Sequence, residues 1–203
     1  EELRDLGFRS VPITVVNDRV INGFNPRQLA EALNLGIKTD PRPPQITVPL
    51  LGRVLEAVER AVRQMPDEQL SWKAPDRDRP MNEFTYHIFG VSRRAFRGIV
   101  TGVYEPFEEN AGRSFTRFED VAEFGRQVVA EYKEMEQTLD LDALAQRGPS
   151  PGEDVGAAEQ LDRITGHAVQ HLRQLYFVLE SFDCTPNQKL EDSAFTYELT
   201  NNV

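Results

Sequence analysis

The sequence feature that most constrains the fold is one pattern that occurs four times between residues 46 and 182. In each occurrence, about twenty residues carry apolar side chains at intervals of three and four, which places those side chains on one face of a helix. The segments between them are rich in Pro, Gly and Asp, residues that end helices and form turns. The four predicted helices cover residues 46–65, 82–102, 119–139 and 157–182. Because four such helices can bury their apolar faces against one another, the sequence predicts a mainly α protein built on a four-helix bundle.

The residues before this region follow a different pattern. Val11–Val16 form a β-branched run, Asn17–Asp18 suit a turn, and Arg19–Ile21 form a second short run, which together predict a β-hairpin. Pro26 then begins a short helical stretch that Gly36 closes. A ββα segment of this size cannot bury a core of its own, so it must pack on another part of the protein.

Between the two regions, the segment KTDPRPPQ has three prolines in eight residues and is typical of a stiff linker. We therefore expect residues 1–37 to form the small N-terminal unit and residues 38–45 to form the linker. Residues 46–182 form the predicted bundle, and residues 183–203 form a polar tail.

Composition argues against several classes of function. The chain has 33 acidic and 23 basic residues and a net charge of -10 at pH 7, so it would repel a polyanion, and we expect no nucleic-acid partner. No apolar run approaches the roughly 18 residues that span a bilayer, so we expect no membrane partner. The single cysteine, Cys184, excludes an intrachain disulfide and a thiolate zinc cluster, and it fits a reducing cytoplasm.

Two of the three histidines, His167 and His171, lie four residues apart in the last predicted helix. Residues at this spacing share a helix face, with Cβ atoms about 5–6 Å apart, so their imidazoles can bind one metal ion. The third, His87, lies at the apolar margin of the second predicted helix. If these two helices are neighbours, the three rings can converge and leave a divalent ion with open positions, as in catalytic sites. On the residues alone, ordinary structural roles for all three histidines stay open.

Glu83 lies one helical turn before His87 on the same predicted face. It could add a carboxylate ligand, act as a general base on metal-bound water, or stabilise the helix N-terminus through its negative charge. We therefore treat Glu83 as a candidate catalytic residue, with the structural role as the alternative.

The helical region resembles the DinB/YfiT-like family of metal-binding four-helix bundles over about residues 46–182. The resemblance rests on Trp72 in the segment LSWKAPDRDRPMNEFTYH, on the histidine near the start of the second helix, and on a late H-x-x-x-H followed by Gln174. It implies that His87, His167 and His171 are the ligands of a divalent metal ion, with zinc and nickel the commonest.

The same resemblance implies a function. Members of the family include S-transferases that use low-molecular-weight thiols, so the chain is expected to be a metal-binding protein with thiol-dependent S-transferase activity. A non-catalytic metal- or thiol-binding stress or sensor module is the alternative, and a metal-dependent hydrolase with Glu83 as base is a third interpretation.

The N-terminal segment SVPITVVNDRVINGFNPRQLAEAL resembles the carboxy-terminal half of a glutaredoxin- or thioredoxin-like domain. In that family the proline matching Pro12 is cis, and the residue before it, here Val11, contacts a thiol peptide, so the resemblance implies a thiol contact at both residues. The half that would carry CxxC is absent from the 203 residues. Either it precedes Glu1, which the missing initiator Met favours, or the segment is a remnant used for packing. Because either case leaves strand edges unpaired, we expect a homodimer.

Overall fold

A computed structural model of the chain describes residues 13–22, 26–36, 40–75, 77–150, 153–191 and 194. The chain divides into two compact units, residues 1–41 and residues 42–203. In the described residues the protein is mainly helical with one small N-terminal sheet, which confirms that part of the predicted fold class.

The first unit contains a β-hairpin followed by a short helix. Strands β1 (Ile13–Val16) and β2 (Arg19–Asn22) pair in antiparallel register, and the turn between them places Asn17 in the left-handed region with φ of 53°. Helix α1 (Pro26–Ala32) follows. The predicted hairpin and helix are therefore present, whereas Val11 and Pro12, the expected thiol contacts, lie outside the described residues.

The second unit is a helical bundle. Its helices are α2 (Pro44–Val62), α3 (Met81–Thr101), α4 (Phe118–Glu136), the short α5 (Leu141–Gln146) and α6 (Ala157–Ser181). Among the long helices, α2 and α3 each pack chiefly against α4 and α6, so they lie across the bundle from one another although they are consecutive in the chain. This order makes α3 and α6, the two histidine-bearing helices, direct neighbours.

Large apolar side chains from all four long helices fill the bundle interior. Phe89 of α3 is fully buried, and Gly125 of α4 lets the two helices approach closely, because a Cβ there would lie 2.3 Å from the Phe89 ring. On the same interface Phe96 and Tyr132 have ring centroids 4.2 Å apart, and the Tyr132 hydroxyl donates a 2.6 Å hydrogen bond to the carbonyl of Val48 on α2. Full burial of one such side chain contributes about 1.5–3 kcal/mol. These contacts fix α3 in the bundle.

The start of α3 is capped by the backbone of the preceding loop. The amide of Met81 donates to the Trp72 carbonyl at 3.0 Å, and the amide of Asn82 donates to the Leu70 carbonyl at 3.1 Å. The Trp72 ring packs edge to face on Phe182, just beyond α6, with centroids 5.2 Å apart. The loop thus links the first turn of α3 to the end of α6.

Segments of 3-10 helix, Asp67–Gln69 and Glu109–Ser114, precede and follow α3. Among the described helices, none combines the length and the apolar composition needed to cross a bilayer.

Candidate metal centre

The three histidines meet at the interface between α3 and α6. One ring nitrogen of each of His87, His167 and His171 lies within 4.8 Å of the corresponding nitrogens of the other two. The ring centroids of His167 and His171 are 4.3 Å apart. The ring centroid of His87 is 5.4 Å from that of His167 and 5.6 Å from that of His171. Within the described part of the chain, no other group of three or more His, Cys, Asp or Glu side chains has this metal-ligand spacing.

The helix periodicity explains why the rings point into this interface. Ala168 and Leu172, each one residue after a histidine of α6, are fully buried, so His167 and His171 lie at the edge of the apolar stripe and are half-buried. His87, in the second turn of α3, is only 7% exposed. The site is therefore built from one deeply buried ring and two rings closer to solvent.

A hydrogen bond fixes the tautomer of His171. Its Nδ1 lies 2.7 Å from Oε1 of Gln174, and because an amide oxygen can only accept, His171 carries its proton on Nδ1 and a lone pair on Nε2. That Nε2 is 3.0 Å from Nε2 of His167. Two imidazole nitrogens bound tetrahedrally to one zinc ion, at 2.0–2.1 Å each, would be about 3.3–3.4 Å apart. The spacing of the α6 pair is close to this value.

Burial keeps all three imidazoles neutral at physiological pH. Loss of hydration first, and then the positive charge of Arg79 and the neighbouring imidazole rings, together lower the pKa of His87 to about 3. Burial, then His171 and Arg79, lower the pKa of His167 to about 4. Burial also lowers the pKa of His171, against the raising effect of Gln174. Metal ions bind the neutral form of imidazole, so near pH 7 protons compete little for these nitrogens.

The residues present fit a divalent ion. Nδ1 of His87 and Nδ1 of His167 are buried and lack a hydrogen-bond partner, so the cluster carries the cost of unpaired buried polar atoms. Three neutral imidazoles are a common donor set for zinc and nickel, and they leave coordination positions for water or substrate.

Glu83 is held by arginines. Its carboxylate is buried, accepts a hydrogen bond from Nε of Arg113 and lies 3.7 Å from Nε of Arg79. Within the described residues, the group with metal-ligand spacing contains the three histidines and no carboxylate. Of its three expected roles, the contacts favour a structural one in the first turn of α3.

Sequence reasoning missed three neighbours of the histidines. Glu109 has a carboxylate oxygen 3.6 Å from Nδ1 of His87. The Phe84 ring packs edge to face on the His171 ring with ring centroids 5.2 Å apart. The ring centroids of Phe107 and His87 are 6.2 Å apart. Glu109 and Phe107 belong to a polar connection without periodicity, so only the spacing of Phe84, three residues before His87, could have signalled a site neighbour.

Comparison with known proteins assigns the bundle to a family. A family model described as the DinB superfamily matches residues 50–175, which is more than half of the chain and includes all three histidines. Searches of curated proteins and of solved structures returned no match. The matched range starts after the first unit, so the resemblance of that unit to glutaredoxins has no support from the comparisons. The chain belongs to the DinB superfamily.

Proposed function

We propose that this protein binds one divalent metal ion through His87, His167 and His171 and uses it in thiol-dependent S-transfer. The observation that carries the metal site is the convergence of three neutral, partly buried imidazoles from two helices within 4.8 Å. Family membership supports the same assignment. The transferase activity rests on the resemblance to thiol-using family members.

A bound divalent ion would lower the pKa of a coordinated thiol, so that the thiol is present as the nucleophilic thiolate at neutral pH. The chain's own residues prepare the site for this. Gln174 accepts a hydrogen bond from Nδ1–H of His171, which leaves the lone pair of His171 on Nε2, the nitrogen beside His167. Phe84 and Phe107 place apolar surface beside the histidines, which keeps water from part of the site.

The alternative class is a non-catalytic metal- or thiol-binding stress or sensor module, which would use the same three histidines to join α3 to α6. A metal-dependent hydrolase is the weaker alternative. It needs a general base with an accessible lone pair, whereas the Glu83 carboxylate is engaged by Arg113 and Arg79.

Homodimerisation and a cytoplasmic location stay predictions, as do the thiol contacts at Val11 and Pro12. For a dimer, the hairpin offers one supporting feature. Val15 and Val20 lie opposite each other in the strand pair and are 63% and 47% exposed. An exposed cross-strand pair of this kind suits association with another chain.

A turnover assay separates the transferase from the binding module. Chlorodinitrobenzene is mixed with each of a panel of low-molecular-weight thiols. The thiol releases its proton to become the thiolate, and the thiolate sulfur then displaces chloride to give the thioether and a chloride ion. We expect the zinc- or nickel-loaded wild type to accelerate this reaction with at least one thiol, and the chelated protein and the His167→Ala, His171→Ala variant to lose the acceleration. A rate that chelation leaves unchanged, or no rate with any thiol, would favour the binding module.

A further inference from the structure

A carboxylate stands beside the buried His87 ring. Oε1 of Glu109 lies 3.6 Å from Nδ1 of His87, and this Nδ1 is buried with no hydrogen-bond partner. The separation is just longer than a hydrogen bond, and such bonds are often long in sites without substrate. Histidines that bind a metal through one nitrogen usually donate the other N–H to a carboxylate, a carbonyl or water.

We propose that Glu109 is a positioning residue of the metal centre: its carboxylate accepts the Nδ1–H of His87 and so leaves Nε2 of His87 for the metal ion. This inference rests on the proposed function, because it assigns a role toward the same ion. It differs from the sequence-based expectation, in which the acidic partner of the site was Glu83.

Close backbone packing holds Glu109 in place. The 3-10 helix Glu109–Ser114 lies against the first turns of α3 at Gly112, where a Cβ would come within 2.7 Å of Cα of Glu83 and 2.8 Å of Cβ of Tyr86. Just after the end of the same segment, the side-chain Nδ2 of Asn82 donates a 3.1 Å hydrogen bond to the Phe115 carbonyl. The segment that carries Glu109 is thus fixed on the helix that carries His87.

Arg79 orients the Glu109 carboxylate. Its Nη2 lies 3.3 Å from Oε2 of Glu109, which leaves Oε1 on the side of His87. Nε of Arg79 faces Glu83, which also accepts from Arg113. Glu109 is 53% exposed, and exposed ion pairs contribute only about 0–1 kcal/mol to stability. The arrangement is therefore suited to aiming a carboxylate, with little effect on folding.

Zinc affinity tests this role. The full-length protein and its variants compete for zinc with a chromophoric chelator, and we expect Glu109→Ala to bind zinc about 10–100-fold more weakly than wild type. Glu108→Ala removes the same charge from the neighbouring exposed position and serves as the matched control. Its zinc affinity should stay within about twofold of wild type. In chelator, the denaturant midpoints of unfolding of both variants should stay close to that of wild type, because an exposed ion pair contributes little to stability.

The tautomer of His87 is a second measurement, and it would not change if Glu109 only stabilised the fold. Long-range ¹H–¹⁵N spectra of the metal-free protein report which ring nitrogen of His87 carries the proton. We expect Nδ1–H in wild type and in Glu108→Ala, and a mixture of tautomers in Glu109→Ala.

The outcomes are distinct. If Glu109→Ala keeps wild-type zinc affinity or the wild-type His87 tautomer while His87→Leu binds zinc more than about 100-fold more weakly than wild type, the Glu109 role is overturned and the metal site stands. If wild type and His87→Leu bind zinc equally, or neither binds it, the proposed function fails and the role of Glu109 fails with it.

Discussion

A chain with both His167→Ala and His171→Ala will be purified without bound metal, whereas the wild type will carry about one divalent ion per chain when expressed with zinc or nickel. The two substitutions remove the Nε2 pair that lies 3.0 Å apart and leave only His87 from the cluster. One imidazole cannot hold the ion against water. The measurement is elemental analysis of untagged protein, followed by titration of the metal-free protein with zinc.

The matched control is Gln170→Ala, an exposed position between the two histidines on the same helix, which should keep full metal content. His87→Leu tests the contribution of the second helix and roughly preserves side-chain volume. We expect His87→Leu to weaken zinc binding by more than the 10–100-fold that is typical when a residue hydrogen-bonded to a metal ligand is removed. Stoichiometric metal in the double variant would exclude this site.

The metal-free protein will lose stability as the pH falls below about 6.5. The folded-state pKa values of His87 and His167, about 3 and about 4, lie below the unfolded value. Between pH 6.5 and 4 the unfolded chain therefore binds protons that the folded chain excludes. The free energy of unfolding is therefore highest, as far as these histidines are concerned, above pH 6.5. It falls as the pH drops toward their folded-state pKa values, by up to about 1.4 kcal/mol per pH unit for each histidine.

Denaturant unfolding in chelator at pH 7.5, 6.5 and 5.5 measures this dependence above the range where carboxylates titrate. His87→Leu removes one of the responsible groups, so its free energy of unfolding should fall less steeply over the same interval. Equal slopes for the variant and the wild type would show that His87 is not buried in its neutral form.

Periodicity predicted the bundle well, because an amphipathic helix is specified by residues close together in the chain. The last long helix starts at the predicted residue, and the other starts and ends of the four long helices lie within three residues of prediction. The six-residue helix α5 was missed because it is too short to show a period. Helix α3 begins at Met81, one residue before its predicted start, and the carbonyls of Trp72 and Leu70 accept hydrogen bonds from the backbone amides of Met81 and Asn82.

The candidate site was predictable in part for the same reason. The four-residue spacing of His167 and His171 places them together on any helix, whereas the approach of His87 depends on α3 lying beside α6, and only packing sets that order. The neighbour Glu109 could not be predicted, since it reaches His87 through a 3-10 helix held on α3 at Gly112. Local patterns reveal pairs within a helix; contacts between segments need the fold.

X-ray absorption at the zinc edge of the zinc-loaded, untagged wild type tests most directly whether imidazoles from two helices bind one ion. We predict three imidazole nitrogens at about 2.0–2.1 Å, with one or two further oxygen ligands in the open positions, and two imidazoles in His87→Leu. A first shell with sulfur, or with the same number of imidazoles in wild type and His87→Leu, would contradict the account.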